Sequence, residues 1–127
     1  MIPLGLGLDL IDVARVRRLL ARKGERALAR LLTEDERQYC VAQAEPARHV
    51  AGRLAAKEAA YKALTTDREA GWIGWREVEV VRGADGRPAL ELYGRATEAA
   101  GRLGVRSMMV SLTHSREAAA AVVLLLG

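Results

Sequence analysis

The chain has 127 residues, of which 50% are hydrophobic and 28% are charged, so it is not intrinsically disordered and it fits one domain, residues 1–127. A single cysteine, Cys40, excludes an internal disulfide and a cysteine-based zinc cage. The longest apolar run, residues 118–126, is too short to cross a membrane, and no signal peptide is visible. We therefore expect a cytoplasmic protein with no membrane partner.

The positive charge is concentrated near the start of the chain. The net charge is +4, from 20 basic and 16 acidic residues. Residues 13–32 contain seven basic side chains and one acidic one, a charge of +6, so the rest of the chain carries −2. Such a segment attracts an anionic partner, and a nucleic acid, an acidic lipid surface and an acidic protein all fit this description. Alternatively, the segment is only a solvated helix face.

The first predicted elements are a strand and a basic helix. Alternating leucines in residues 2–11 predict a strand with Leu4, Leu6, Leu8 and Leu10 on one face. Asp12 is the predicted N-cap of a helix that begins at Val13, and Gly24 is expected to interrupt this helix. The helix presents three basic side chains on one face, Arg15, Arg18 and Arg22.

The remaining elements follow from capping, proline and turn signals. Thr33 and Glu36 form a capping-box pattern that opens a second helix, and Pro46 opens a third that runs to about Leu64. The later elements are a loop at 65–74, a hairpin with strands 75–82 and 88–93, a short helix that Gly104 ends, and strands at 105–113 and 118–126. This order predicts an α+β domain with an antiparallel-rich sheet and a long central helix.

Asp9 is the first candidate functional residue, because it is the only charged side chain in residues 1–11. A carboxylate in an apolar strand is exposed at the strand end, paired, or bound to a cation, since bare burial costs several kcal/mol. Alternatively, Asp9 caps the following helix. Gly5 and Gly7 share its face and are expected to leave the backbone open to close approach by a ligand.

The central helix and the penultimate strand carry the other candidates. Glu58 and Lys62 lie on one stripe of the alanine-rich helix 50–64, where they face a cleft or form an ordinary surface pair. Three interpretations are open for the sequence Ser111-Leu-Thr-His114-Ser. It is a phosphate-binding segment, a site of acid–base chemistry, or a polar hairpin tip. His49 is expected on the surface.

These segments together resemble the holo-[acyl-carrier-protein] synthases, the small trimeric class of 4′-phosphopantetheinyl transferases. The resemblance is carried by Gly5-Leu-Gly-Leu-Asp9-Leu, Arg53-Leu-Ala-Ala-Lys-Glu58-Ala-Ala-Tyr-Lys62-Ala-Leu, Ser111-Leu-Thr-His114-Ser and Gly86-Arg-Pro88. The central helix motif is the most specific of the four. The sequence departs from the family pattern at three places. Leu54 replaces an aromatic residue, and Thr113 replaces a serine but keeps a hydroxyl. Thr65-Thr66-Asp67 replaces a Gly-x-Gly loop that lies near coenzyme A in the family.

The resemblance implies transfer of the 4′-phosphopantetheine arm of coenzyme A to a serine of apo acyl carrier protein, in support of fatty acid biosynthesis, with adenosine 3′,5′-bisphosphate as the other product. It assigns Asp9 and Glu58 to Mg²⁺, which suits an ion that takes one or two carboxylates plus substrate phosphates. Glu58, directly or through a water on the metal, is the candidate acceptor of the serine proton. Lys62 is assigned to the pyrophosphate, Arg53 and His114 to nucleotide phosphate, and Lys57 to a ligand or a structural role.

The resemblance also implies a homotrimer with active sites between subunits, in which Asp9 and Glu58 come from one chain. It gives the basic helix a partner, because acyl carrier proteins are acidic and Arg15, Arg18 and Arg22 form a docking face. On this interpretation the protein binds no nucleic acid. The alternatives are a nucleic-acid or protein-interaction module that uses the basic helix without catalysis, and a catalytically silent trimer of the same fold.

Overall fold

The computed structural model describes residues 1–66 and 71–127 and has the predicted order of helices and strands. The strands are β1 (Pro3–Asp12), β2 (Val78–Arg82), β3 (Pro88–Leu92), β4 (Ser107–His114) and β5 (Ala118–Leu126). The helices are α1 (Val13–Leu31), α2 (Glu34–Val41), α3 (Pro46–Leu64) and α4 (Gly94–Leu103). The predicted α+β class is confirmed, and no helix among the described residues is both long and apolar enough to span a bilayer.

Two antiparallel sheets surround the long helix α3. The first sheet has the strand order β1-β5-β4, and the second is the β2-β3 hairpin. Most side chains of α3 are buried, and alanine predominates among them. Small side chains let both sheets approach α3 closely, so the functional residues on this helix are held between packed layers.

Gly5 and Gly7 are required by the packing of β1 against α3. A Cβ atom added at Gly7 would overlap with the carbonyl oxygen of Ala59, and one added at Gly5 would overlap with that of Ala63. The expectation that these glycines open the backbone to a ligand is therefore wrong, because the helix fills the space. The contact sets the depth of α3 on the sheet and the position of its charged side chains relative to β1.

Local capping signals determine where α1 and α2 begin. The Ala14 backbone N–H donates to Asp12 Oδ1 at 3.1 Å, so Asp12 is the N-cap of α1, as predicted. Gly24 interrupts α1 with φ of 48°, a left-handed value that suits glycine. At α2, Thr33 and Glu36 form the predicted capping box.

Lys57 and Glu36 form a buried ion pair that joins α3 to α2. Lys57 Nζ lies 2.7 Å from Glu36 Oε1, and it also donates to the carbonyl oxygens of Trp75 (2.7 Å) and Val78 (2.6 Å). The other oxygen of Glu36 accepts from the Val80 backbone N–H at 2.8 Å. All three N–H donors of Lys57 are used, so its role is structural rather than ligand binding.

The segment predicted as the start of a strand at residue 75 forms a turn instead. A 3-10 turn occupies Trp75–Glu77, and β2 begins only at Val78. The Glu77 carboxylate accepts from the backbone N–H groups of Gly74 and Arg95, the latter at 2.9 Å, and so holds the chain in the turn. Asp67, which departs from the family pattern, lies outside the residues that the structure describes, so its effect near coenzyme A stays a prediction.

One face of the three-stranded sheet is apolar and uncovered. Leu6, Leu8 and Leu10 on β1 are 65%, 65% and 70% exposed, and Met109 on β4 is 60% exposed. Leu4 does not follow this alternation, because the β1–β5 register shifts between Pro3 and Gly5 and Leu4 packs against the core. A contiguous apolar patch of this kind marks an interaction surface.

Candidate active site

Asp9 lies where β1 crosses α3, and it binds Lys62. Lys62 Nζ lies 2.9 Å from Asp9 Oδ1 and 3.0 Å from the Leu8 carbonyl oxygen. The Asp9 side chain is only 15% exposed, whereas that of Lys62 is 52% exposed. The suggestion that Asp9 caps α1 is wrong, because Asp12 does so. Within the described residues the ion pair of Lys62 is with Asp9 rather than with Glu58.

Glu58 lies one turn before Lys62 on α3 and is half-buried beside Asp9. Burial raises the pKa of the Glu58 carboxyl above its ordinary value, the Asp9 carboxylate raises it further, and the Lys62 ammonium opposes the shift. Two carboxylates and one ammonium from two different elements therefore share one site. Such a cluster is poised to bind a cation and to accept a proton.

An open groove leads from the basic helix to Glu58. It has a volume of about 450 Å³ and lies between β1, α1 and α3. Arg15 and Arg22 line one side of the groove, apolar side chains such as Val16 and Leu19 form its floor, and Glu58 lies at the other side. Arg18 is exposed on α1 but is not part of the groove lining.

Arg53 and His114 lie in a separate depression, which we call the basic depression. Its volume is about 220 Å³, and its charged and histidine side chains are Arg48, His49, Arg53, Arg82 and His114. Arg53 and Glu58 are five residues apart on α3, which separates them by about 140° around the helix axis. Within one chain, the structure therefore does not bring Arg53 and His114 to the cluster of Asp9, Glu58 and Lys62.

The side chains of the basic depression pack on one another. The Arg53 guanidinium carbon lies 4.2 Å from the centre of the Tyr39 ring, and Arg82 donates to the Tyr39 hydroxyl at 2.9 Å. The His49 ring lies edge-on to His114 at 5.7 Å. Burial lowers the pKa of His49, and the positive charge of Arg53 lowers it further. Among the residues that the structure describes, no aspartate or glutamate lines the depression, so it is suited to a phosphate group.

Several residues of these sites were not identified from the sequence. His49, expected on the surface, is half-buried in the basic depression. Arg48 and Arg53 on α3 flank His49 along the chain, and this basic run was the available signal. Arg82 comes from the distant hairpin, and no sequence spacing relates it to α3.

Residues 5–123 match the sequence profile of the 4′-phosphopantetheinyl transferase superfamily. The chain belongs to this superfamily. It is 46% identical over 127 residues to the holo-[acyl-carrier-protein] synthase of Anaeromyxobacter sp. (strain K), with 98% of this chain and 96% of the relative covered. The family predicted from the four motifs is confirmed.

Solved structures of similar proteins agree with the fold. The acyl carrier protein synthase of Mycobacterium tuberculosis is 34% identical with a TM-score of 0.72, and the alignment covers 98% of this chain and 97% of that one. The holo-(acyl-carrier-protein) synthase of Bacillus anthracis, solved in complex with CoA (3′,5′-ADP), is 29% identical with a TM-score of 0.76 over the same shares. The chain therefore has the same fold as these two solved relatives over nearly its whole length.

Proposed function

We propose that this protein transfers the 4′-phosphopantetheine arm of coenzyme A to a serine of an apo acyl carrier protein in the cytoplasm, in support of fatty acid biosynthesis. The observation that carries the proposal is the cluster of Asp9, Glu58 and Lys62 at the end of a groove lined by arginines. Relatives that match over nearly the whole chain are holo-[acyl-carrier-protein] synthases, and one solved relative binds coenzyme A.

The donor set of this cluster fits Mg²⁺. Among the described residues no group of three or more His, Cys, Asp or Glu side chains surrounds a common point, so a cage made entirely by the protein is absent there. Mg²⁺ is instead held by one or two carboxylates together with substrate phosphates. Asp9 and Glu58 would hold the ion, and when bound it supplies positive charge to the diphosphate of coenzyme A.

The chain's own side chains perform the remaining tasks of the transfer. Glu58 accepts the proton of the attacking serine hydroxyl, directly or through a water on the metal, because its half-buried carboxylate lies at the end of the groove that would receive the carrier. Lys62 is half-exposed and binds the diphosphate, where its ammonium stabilises the charge that shifts toward the leaving phosphate. Asp9 holds Lys62 in position through the 2.9 Å ion pair.

Arg53 and His114 bind the nucleotide phosphate in the basic depression, whose described lining residues include no carboxylate that would repel it. Because this depression is separate from Glu58 in one chain, a single subunit carries two incomplete half-sites. A homotrimer that places the basic depression of one subunit beside Glu58 of its neighbour would complete the site. The uncovered apolar face of β1, β4 and β5 supports this assembly.

Leu8→Arg is expected to convert the trimer into single chains of 13.8 kDa, since Leu8 is 65% exposed on the apolar sheet face and a charge there would be buried unpaired. Light scattering coupled to size-exclusion chromatography measures the mass. Val41 is also an exposed apolar residue but lies on α2, so Val41→Arg is the control and should leave the mass unchanged. A trimeric Leu8→Arg protein would contradict the proposed interface.

The groove beside α1 is proposed to receive the acyl carrier protein. Acyl carrier proteins are acidic, and Arg15 and Arg22 line the groove above an apolar floor, with Arg18 exposed on the same helix face. Charge complementarity of this kind accelerates encounter and fixes orientation. A carrier in this groove would present its serine to Glu58.

Reversal of Arg15 and Arg18 to Glu is expected to raise the KM for the carrier protein by about tenfold or more, because like charges placed together at an interface cost several kcal/mol. The KM for coenzyme A should change little. Steady-state kinetics with each substrate varied in turn provide the test. Arg102→Glu, on the exposed face of α4, is the matched charge-reversal control. Equal increases in both KM values would contradict the docking assignment.

The proposed function as a whole is tested by incubating the protein with apo carrier protein, coenzyme A and Mg²⁺ and weighing the carrier by mass spectrometry. The carrier should gain the mass of one phosphopantetheine group. An unchanged mass with several apo carriers would refute the transferase activity. A nucleic-acid-binding module would leave the carrier unmodified and bind nucleic acid with a steep salt dependence.

A further inference from the structure

Three ring side chains from three different elements form a continuous row in the basic depression. Tyr39 is on α2, His49 lies near the start of α3, and His114 is the last residue of β4. The Tyr39 and His49 ring centres are 5.7 Å apart with 74° between the ring planes, and those of His49 and His114 are 5.7 Å apart with 63° between them. Both contacts have the edge-to-face geometry that aromatic pairs favour. His49 therefore connects His114 to the two helices.

Tyr39 is the fixed end of this row. The Arg53 guanidinium carbon lies 4.2 Å from the centre of the Tyr39 ring, and Arg82 donates to the Tyr39 hydroxyl at 2.9 Å. The helix that carries Tyr39 is itself attached to α3 by the buried ion pair of Glu36 with Lys57. The Tyr39 ring is thus held by contacts from α3 and β2 that need no ligand.

His114 is the exposed end of the row. A side chain at an exposed strand end has several rotamers available, and a ligand that selects one of them must offset the lost conformational entropy. The half-buried His49 ring lies against the His114 ring and favours one of its orientations. A ring that is oriented before the ligand arrives loses less entropy on binding, so the ligand binds more tightly.

His49 is suited to holding a neighbouring ring rather than to attracting the phosphate by charge. Burial lowers the pKa of His49, and the positive charges of Arg53, His114 and Arg48 lower it further. A proton on His49 is therefore disfavoured by charged groups on its own helix and on β4. Near neutral pH the neutral ring predominates, and the attraction of an anion is left to the arginines around it.

We propose that His49 is a positioning residue, whose ring holds the His114 ring in the orientation that binds the 3′-phosphate of coenzyme A. This inference rests on the transferase function proposed above, in which Lys62 binds the diphosphate and His114 binds the phosphate of the nucleotide. The diphosphate being bound elsewhere, the group left for His114 is the 3′-phosphate. Coenzyme A without this group (3′-dephospho-coenzyme A) therefore probes the contribution of His49 directly.

His49→Ala is expected to raise the Kd of coenzyme A by about fivefold, which corresponds to about 1 kcal/mol and lies in the range of aromatic pairs. The Kd of 3′-dephospho-coenzyme A and the KM for the carrier protein should stay unchanged. His49→Phe keeps a ring but has no ring nitrogen, so it should restore most of the affinity. Titration calorimetry measures both Kd values, and thermal unfolding verifies that each variant is folded.

Equal increases in the two Kd values would indicate a general structural effect and overturn the inference. A His49→Phe protein as weak as His49→Ala would indicate that His49 itself bonds the phosphate, and it would overturn the inference as well. An unchanged Kd of coenzyme A in His49→Ala would do the same.

The double variant with His114→Ala tests whether His49 acts through His114. It should have the Kd of His114→Ala alone, because no ring remains for His49 to orient. Increases that add up would overturn the inference, and a parental Kd in His114→Ala would overturn it together with the assignment of His114. These binding measurements need no turnover. A wild-type protein that binds coenzyme A but modifies no carrier would instead refute the proposed transferase function.

Discussion

Glu58→Gln is expected to lower the rate of phosphopantetheine transfer by about 10³-fold, within the range of about 10²–10⁴-fold for the loss of a general base. The amide keeps the size of the side chain but neither accepts the serine proton nor supplies a charged oxygen to Mg²⁺. The fold should be unaffected, because burial and the Asp9 carboxylate already disfavour the charged form of Glu58. The unfolding temperature of the variant is therefore expected to equal or exceed that of the parent protein.

The measurement is the rate of holo-carrier formation at saturating coenzyme A and carrier, with thermal unfolding recorded on the same samples. Glu98→Gln makes the same chemical change on the exposed face of α4 and should retain full activity. A Glu58→Gln protein that transfers at the parental rate would remove Glu58 from the mechanism. A variant that loses activity together with its unfolding transition would indicate a structural role instead.

Elements with local signals were predictable from the sequence alone. Asp12 caps α1, and Thr33 and Glu36 form a capping box at α2, because these hydrogen bonds join residues close together in the chain. Pro46 begins α3, since proline suits the first turn of a helix. The pairing of Asp9 with Lys62 was not predictable in this way, since 53 residues separate the two side chains. The resemblance to a family proposed both as site residues, and the ion pair is a finding of the structure.

The expectation that was wrong for β1 concerned what covers each face of the strand. The alternation in β1 assigned Leu6 and Leu8 to one face and Gly7 to the other, but it does not say which face is covered within the chain. The leucines proved exposed, and the glycine face proved to be filled by α3. A missing Cβ accommodates a ligand or a helix equally well, so only the tertiary structure distinguishes the two.

The turn at Trp75–Glu77 has a similar explanation. Its residues satisfy a strand pattern, but the Glu77 carboxylate binds the Arg95 backbone N–H, 18 residues further along the chain. This long-range bond outweighs the local β-propensity. The turn places Trp75 at the groove beside Glu58 rather than on a regular strand.

Lys57→Met is expected to lower the free energy of unfolding by about 3–5 kcal/mol, the cost of removing one partner of a buried ion pair. The variant would leave the buried Glu36 carboxyl without its cation, and it would leave the carbonyl oxygens of Trp75 and Val78 without their donor. Urea unfolding at one fixed protein concentration measures the loss, because the stability of an oligomer depends on concentration.

The double variant Lys57→Met with Glu36→Gln separates the pair from its surroundings. The Glu36→Gln change would remove the buried negative charge, and the new amide could still accept one hydrogen bond, so the double variant should be more stable than Lys57→Met alone. Below their unfolding transitions, both proteins should retain the parental KM for coenzyme A, since Lys57 has no N–H group left for a ligand. An increase in this KM without loss of stability would instead assign Lys57 to the coenzyme A site and would contradict its structural role.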